Sequence, residues 1–217
     1  MIRNLIFLGA PGSGKGSTAL EISTKYDIEH ISTGEIFRNE IKNKTPLGLK
    51  VAEIVNDGKY VPDELTNQIV LKKLKELKQE NKKFILDGYP RTLNQAMFLS
   101  SVLDEKILAV LLEVPTNLII ERLSFRRICP ICKSIYHLKY NPSKKGEFCE
   151  NHLENLTKIE ARQDDSEESI KKRLKIYNEE TKPMIDYYKK NQSLVVINSE
   201  ESVKKVASLV IKKVFND

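Results

Sequence analysis

The sequence predicts an α/β fold in which a five-stranded parallel sheet is flanked by helices. Short apolar runs alternate along the chain with longer segments of helical periodicity, and this alternation is typical of parallel strands joined by helical crossovers. The runs are almost continuously apolar, as expected for strands that are buried on both faces. The predicted strands cover residues 5–8, 29–32, 83–87, 107–114 and 194–197.

A glycine-rich turn at residues 9–18 follows the first strand directly, and residues 17–26 have helical character. Its glycines leave room for successive backbone N–H groups to converge on phosphate oxygens. Lys15 adds a positive charge, and the next helix directs the positive end of its dipole at the same anion. The turn therefore predicts a phosphate-binding loop rather than an ordinary glycine-rich turn. Gly16 stands after the lysine, where Ser or Thr is common, and this spacing is similar to that of nucleoside monophosphate kinases.

A small helical excursion is predicted at residues 33–61, between the second and third strands. Ser32 or Thr33 can cap its first helix, and Arg38 falls about one turn into that helix. The next helix is predicted to begin with Asp63 as its N-cap and to continue to residue 78.

The third strand ends in a carboxylate, Asp87, and the following turn lies where open α/β sheets place ligands. A helix predicted at residues 93–103 carries Gln95 in its first turn. After the fourth strand, Thr116 or Asn117 is predicted to cap a helix that presents Arg122 and Arg126 on one face, because the two are four residues apart. The remaining predicted elements are a helix from Ser166 that is interrupted at Pro183, and a closing helix at residues 202–215.

The region from residue 128 to about 159 has little periodicity and contains the three cysteines. Cys129 and Cys132 form one pair, and sixteen residues separate them from a second pair, Cys149 and His152. This spacing is typical of a structural zinc site, in which two tight turns supply four ligands. Too few apolar residues surround the cysteines to bury them as free thiols. Other candidates for the fourth ligand are His137, Glu150 and Glu154, whereas His30 lies far from the cluster.

The charge balance favours an anionic partner. Lys plus Arg number 36 against 30 Asp plus Glu, which gives a net charge of +6 and is also compatible with nucleic acid. No apolar segment is long enough to span a membrane. Three cysteines in one short region favour a reducing compartment, so we expect a cytoplasmic protein, and no feature of the sequence requires more than a monomer.

Six arginines are placed where they could meet Lys15 around a phosphoryl group. Four lie at or after predicted strand ends, and two bracket the return from the cysteine region. Phosphoryl transfer needs cations at several oxygens and an in-line geometry more than it needs covalent chemistry. These arginines are Arg38, Arg91, Arg122, Arg126, Arg162 and Arg173.

Taken together, these motifs closely resemble the adenylate kinase family, in its long-lid form with a zinc-bearing lid known from bacteria. The resemblance covers essentially the whole chain. It implies the P-loop nucleoside monophosphate kinase fold, with a core at 1–31, 62–125 and 165–217, a helical AMP-binding region at 32–61 and a zinc-binding lid at 126–164. The matching segments are 9–17, 32–34 with Arg38, 58–64, 87–92 with Gln95, 126–127, 136–137, and 162–165 with Arg173.

The resemblance also implies roles for individual residues. ATP would contact Gly12, Ser13, Gly14, Lys15, Gly16, Ser17, Arg122, Arg126, Ile135, Tyr136 and Glu201. AMP would contact Thr33, Arg38, Lys59, Tyr60, Val61, Gly88, Tyr89, Pro90, Arg91, Gln95, Arg162 and Arg173, with Gln95 at the adenine edge. The catalytic residues would be Lys15, Asp87, Arg91, Arg126, Arg162 and Arg173, and Asp87 would hold Mg²⁺ through water. A structural Zn²⁺ would be held in the lid by Cys129, Cys132, Cys149 and His152.

Three positions depart from the family pattern. Glu35 stands where Asp is frequent, Ser17-Thr18 replaces Thr-Gln, and His152 stands where Cys or Asp is frequent. The implied reaction is MgATP + AMP ⇌ 2 ADP by direct in-line transfer, so we expect ATP, AMP and ADP as partners, and neither nucleic acid nor membrane. The alternatives are a UMP/CMP or GMP kinase, a zinc-ribbon nucleic-acid-binding module on a P-loop scaffold, and a P-loop switch that hydrolyses nucleotide.

Overall fold

The computed structural model describes residues 3–103, 107–152 and 156–215. Its strands are β1 Leu5–Leu8, β2 Glu29–Ser32, β3 Phe84–Asp87, β4 Leu108–Glu113, β5 Arg126–Ile128, β6 Ile135–His137 and β7 Leu194–Asn198. Five of them form one parallel sheet, as predicted from the apolar runs, and the structure gives their order as β2-β3-β1-β4-β7. The register pairs Phe7 with Asp87 and Ser32 with Asp87, so the C-terminal ends of β1, β2 and β3 meet at one edge.

Helices cover both faces of this sheet. The α-helices of the described residues are α1 Lys15–Tyr26, α2 Thr33–Lys42, α3 Pro46–Asn56, α4 Asp63–Gln79, α5 Leu93–Val102, α6 Thr116–Ser124, α7 Glu167–Ile176, α8 Lys182–Lys190 and α9 Val203–Val214. Apolar side chains of α4, α5 and α8 form a core on one face, and those of α1 and α9 form a core on the other. No helix within the described parts of the chain is both long and apolar enough to cross a membrane.

The excursion between β2 and β3 contains two helices, α2 and α3, with an apolar cluster of their own around Phe37, Val51 and Val61. Ser32 caps α2, as predicted, because its hydroxyl accepts a hydrogen bond from the N–H of Glu35. The two helices pack very closely at Gly48, where a Cβ atom would lie 2.1 Å from the carbonyl oxygen of Glu40.

The cysteine-containing region forms a small β-rich unit outside the main sheet. Strands β5 and β6 pair in antiparallel fashion, and bridges from Ile128 to Glu160 and from Phe148 to Lys158 close the unit. The buried apolar side chains among its described residues are Cys129, Tyr136, Cys149 and Ile159, which together form a small core.

Several predicted helix boundaries are wrong. Helix α6 ends at Ser124, so Arg126 lies on β5 and does not share a helical face with Arg122. The chain leaves the helix there because the carbonyl of Phe125 accepts a hydrogen bond from Leu138, next to β6. Helix α6 is preceded by Pro115 at its N-cap, so neither Thr116 nor Asn117 caps it.

Two prolines account for the other differences. Pro62, in extended conformation, occupies the N-cap of α4, and Asp63 is the first helical residue. Pro183 lies in the first turn of α8 and does not end the helical backbone, because Thr181 and Lys182 before it are helical as well. The interruption predicted at Pro183 is instead a π-helical turn, Tyr177–Thr181, which joins α7 to α8.

Candidate active site

A cavity of about 1240 Å³ lies at the C-terminal edge of the sheet. Its walls come from the glycine-rich loop, the α2 region, the end of β3, the β5–β6 unit and the start of α9. Of the residues predicted to bind ATP, those that line it are Gly12, Gly14, Lys15, Gly16, Ser17, Arg122, Arg126, Ile135, Tyr136 and Glu201. Ser13 does not line it: this residue is buried behind the loop, where its carbonyl accepts a hydrogen bond from Ser199.

A second cavity, of about 70 Å³, adjoins the first. The predicted AMP contacts that line it are Thr33, Arg38, Lys59, Tyr60, Val61, Gly88, Arg91, Gln95, Arg162 and Arg173, and Pro90 lines the larger cavity. The side chain of Tyr89 points away from both. It is fully buried in the core, and its hydroxyl donates to Asn67 at 2.6 Å, so the predicted contact of Tyr89 with AMP stays a prediction and would have to involve its backbone.

The ammonium of Lys15 lies inside the curve of the glycine-rich loop. Its Nζ donates to the carbonyl oxygens of Gly9 at 2.7 Å and Ala10 at 2.8 Å. Helix α1 begins at this lysine, so the ammonium and the helix N-terminus are directed at one place. Burial lowers the pKa of Lys15 to about 8, although the nearby Asp87 carboxylate opposes this.

Asp87 faces the loop from the end of β3. A Cβ atom at Gly16 would lie 3.2 Å from its Oδ2, so glycine after the lysine leaves space for this carboxylate. His30 Nε2 lies 3.4 Å from the same oxygen. Burial raises the pKa of the Asp87 carboxyl, but the His30 hydrogen bond and the charge of Lys15 outweigh burial and hold the pKa below its ordinary value. Asp87 is therefore an ionised carboxylate beside the loop.

Three of the predicted arginines share two aspartates at the mouth of the β-rich unit. Arg126 donates to both carboxylate oxygens of Asp165, and Arg162 donates likewise to Asp164. Arg173 donates to the carbonyl of Asp164 at 2.9 Å and to Asp165 Oδ1 at 3.2 Å. Burial lowers the pKa of Arg173 to about 10, so it stays protonated at neutral pH. Three cations against two anions leave a net positive charge here.

Arg91 and Tyr60 meet on the other side of the site. The Arg91 Nε donates to the carbonyl of Gly88 at 2.7 Å, and the guanidinium lies 4.9 Å from the centre of the Tyr60 ring. Gly88 has a φ of +75°, and a Cβ atom there would lie 2.9 Å from Arg91 Nη2. Thr33 also donates to the Gly88 carbonyl, at 2.8 Å. The turn after β3 therefore needs glycine to hold these two side chains.

Cys129, Cys132, Cys149 and His152 come together, with their ligand atoms all within 4.8 Å of one another. The Nε2 of His152 is buried and finds no hydrogen-bond partner in the described parts of the chain. His137 also has a buried Nε2 without a partner in the described residues, but it lies outside the group of ligand atoms. Glu150 is engaged elsewhere, because its carboxylate accepts the N–H of Lys144. The third alternative, Glu154, lies outside the described residues. The geometry therefore favours His152 as the fourth member.

Comparison with known proteins decides the family. A family model described as adenylate kinase matches residues 7–193. The adenylate kinase of Mycoplasmopsis pulmonis is 45% identical over 215 residues, which cover 99% of each chain. That of Clostridium novyi is 41% identical over 98% of this chain and 99% of its own, and that of Thermotoga neapolitana is 44% identical over 98% and 97%. The chain belongs to the adenylate kinase family.

Membership in the adenylate kinase family makes the chain a phosphotransferase. It favours an adenylate kinase over the UMP/CMP or GMP kinase, the nucleic-acid-binding module and the nucleotide-hydrolysing switch that the sequence left open. Some residues that line the adenylate kinase cavity were not predicted, namely Tyr140, Asn141, Tyr177, Thr181 and Ser199. A signal existed for Ser199, because it follows β7 directly at the ligand-binding edge of the sheet. No local signal marked Tyr177 and Thr181, which enter the cavity through the π-helical turn.

Proposed function

We propose that this chain catalyses the reversible reaction MgATP + AMP ⇌ 2 ADP by direct in-line transfer. The observation that carries the proposal is the single cavity in which Lys15, Asp87 and four arginines face one another. Those arginines are Arg91, Arg126, Arg162 and Arg173. An anionic phosphoryl group placed among them would meet positive charge on several sides, which is the main requirement of this reaction.

The two nucleotides would occupy the two ends of the site. The glycine-rich loop, Arg122 and the β-rich unit form the end proposed for ATP, with Glu201 nearby. The smaller cavity beside α2, with Gln95 in its wall, is proposed for AMP. The transferring group would then lie between Lys15 and Arg91, within reach of both.

Magnesium fits this site through Asp87. Its carboxylate is buried, ionised and adjacent to the loop, and carboxylate oxygens together with retained waters are what Mg²⁺ prefers. When bound with ATP, the ion would neutralise phosphate charge. The chain's own groups would do the rest: Lys15 and the arginines would stabilise charge on the transferring group, and closure of the lid would exclude water. No side chain has to act as a strong base.

Zinc fits the cysteine-containing unit. Three thiols and the unpartnered imidazole nitrogen of His152 supply the four ligands that a tetrahedral zinc site needs. Four protein ligands leave no open position for catalysis. The unit has only four buried core residues, so apolar packing alone holds it weakly. Zinc would therefore stiffen the lid, proposed as residues 126–164, without entering the chemistry. The AMP-binding region is proposed as residues 32–61 and the core as the remainder, in a monomeric cytoplasmic enzyme.

The decisive experiment measures ADP formation from MgATP with AMP, UMP, CMP, GMP or no acceptor. Wild type is compared with Arg91→Ala, which removes one cation from the centre of the site. Fast turnover with AMP alone, lost in the variant, would support the proposal. Turnover that is independent of the acceptor would indicate a nucleotide hydrolase, and fast turnover with UMP, CMP or GMP would indicate a different monophosphate kinase.

A further inference from the structure

The carboxylate of Asp63 makes hydrogen bonds that its position at the start of α4 does not require. It turns away from its own helix and reaches the start of α5. Oδ2 accepts a hydrogen bond from the hydroxyl of Thr92 at 2.7 Å, and Oδ1 accepts one from Nε2 of Gln95 at 2.7 Å. The carboxylate therefore holds a side chain that is 32 residues away in sequence.

Gln95 is held on its other side as well. Its side chain is only 2% exposed, and its Oε1 accepts a hydrogen bond from the backbone N–H of Arg91 at 2.7 Å. A carboxylate can only accept hydrogen bonds, and a peptide N–H can only donate them. A flipped amide would place its oxygen against the Asp63 carboxylate and its NH₂ against the Arg91 N–H. These two partners therefore fix which end of the amide is the donor.

The fixed amide retains one N–H and one oxygen lone pair for a ligand, and Gln95 lines the smaller cavity. Adenine carries an amino donor on C6 next to ring nitrogens that accept. Hypoxanthine and guanine carry a carbonyl acceptor on C6 and a donor at N1. An amide held in this orientation can pair with the donor and acceptor of adenine. Against hypoxanthine or guanine it would place donor against donor and acceptor against acceptor, and a buried polar group left unpaired is costly.

We propose that Asp63 is a specificity-determining positioning residue, which holds the Gln95 amide in the orientation that accepts a 6-amino purine monophosphate and rejects a 6-oxo purine monophosphate. The inference rests on the proposed function, because it takes the smaller cavity as the site of the acceptor nucleotide. Asp63 acts through Gln95 and does not itself touch the nucleotide.

The test compares kcat/KM for AMP and for IMP, which differs from AMP only at C6 and N1. Asp63→Asn keeps the shape but can donate as well as accept, so the flipped amide loses its main penalty. We expect the AMP to IMP ratio to fall about tenfold or more, the effect of a hydrogen bond to a charged group, with an unchanged KM for ATP. Asp63→Glu keeps an acceptor-only group and should keep the ratio closer to that of wild type.

Glu64→Gln is the matched control. Glu64 is the exposed neighbour of Asp63 in the first turn of α4, so the variant removes the same charge from the same helix end without touching Gln95. Its ratio should equal that of wild type. A ratio in Asp63→Asn within twofold of wild type, with both substrates slowed alike, would overturn the proposal and leave Asp63 as a support for α5.

Two further readouts keep the test decisive. If Asp63→Asn does not fold, the side-chain amide of Gln95 in the wild-type protein is examined by NMR. Slow solvent exchange of its Nε2 protons, with NOEs from them to the Asp63 side chain, supports a fixed amide, and rapid exchange or NOEs from them to the backbone N–H of Arg91 overturn it. Failure of the proposed function looks different, because wild type would then form no ADP in response to AMP before any variant is compared.

Discussion

The guanidinium of Arg126 and the carboxylate of Asp165 form a bidentate pair at the mouth of the β-rich unit. The two hydrogen bonds measure 2.7 Å from Nε to Oδ2 and 2.6 Å from Nη2 to Oδ1. The Asp165 side chain is only 2% exposed, and the same carboxylate also accepts from Arg173. One buried anion therefore positions two of the cations proposed to stabilise the transferring group.

Replacing Asp165 by Asn should destabilise the fold markedly. Two partly buried guanidinium groups would lose their counter-charge, and breaking such a pair from one side costs about 3 kcal/mol of unfolding free energy. Urea denaturation measures this loss. The control is Glu167→Gln, which breaks the exposed Lys171–Glu167 pair and should cost less than about 1 kcal/mol. Equal losses in the two variants would contradict the expectation.

Gly58→Ala should impair phosphoryl transfer more than it impairs stability. Gly58 has a φ of +73°, and a Cβ atom there would lie 2.8 Å from Cγ of Arg173. The added methyl group must displace that arginine, and a displacement near 1 Å in a site that depends on position lowers kcat about tenfold or more. Steady-state kinetics with saturating MgATP and AMP measures the effect.

Gly146→Ala is the matched control for Gly58→Ala. It has a similar φ of +65°, but nothing lies within 4 Å of the added Cβ. Both variants should lose about 1 kcal/mol of stability from the left-handed backbone, whereas only Gly58→Ala should lose kcat. A parallel fall in kcat in both variants would show that backbone strain, and not the contact with Arg173, is responsible.

The features that the sequence predicted well are those encoded locally. The strand at Leu5–Leu8, the glycine-rich loop and the Ser32 cap each depend on neighbouring residues, and the structure confirms them. The two pairs of metal ligands were predicted from spacing within tight turns, and the structure brings them together. The order of the strands in the sheet was not predicted, because it depends on contacts between segments that are distant in sequence.

The errors concern side chains whose partners are distant in sequence. Asp63 reads as a cap until Thr92 and Gln95, 29 and 32 residues later, are seen to take its carboxylate. Tyr89 lies between two residues that line the site, and its side chain enters the core, a direction that no periodicity indicates in a turn. Its contact with AMP therefore stays a prediction. Arg126 looked helical because the hydrogen bond that ends α6 comes from Leu138.

Affinity for nucleotide phosphates should fall as pH rises above 8. Burial lowers the pKa of Lys15 to about 8 in the free protein, whereas a bound phosphate would favour the protonated form. Below this pH the ammonium is already present. Above it, binding must take up a proton, so the affinity falls by up to about tenfold per pH unit.

Calorimetry of MgATP binding between pH 7 and 9.5, in two buffers that differ in ionisation enthalpy, measures both the affinity and the proton uptake. Adenosine is the control ligand, since it carries no phosphate and its binding should not depend on Lys15. The expectation fails if the affinity for MgATP is constant across this range, or if binding above pH 8 takes up no proton.

Loss of zinc should destabilise the β-rich unit while leaving the glycine-rich loop of the core intact. Among the unit's described residues, the apolar core consists of Cys129, Tyr136, Cys149 and Ile159, so we expect metal coordination to contribute most of its folding free energy. We expect one zinc per chain by plasma emission spectrometry, and a fall in Tm of about 5 °C or more after chelation.

His152→Ala should lose the metal and show the same fall. His137→Ala removes an imidazole from the same unit but outside the ligand group, and it should retain the zinc. A metal-free protein with an unchanged Tm would show that zinc does not stiffen the lid, and loss of zinc from His137→Ala but not from His152→Ala would reverse the assignment of the fourth ligand.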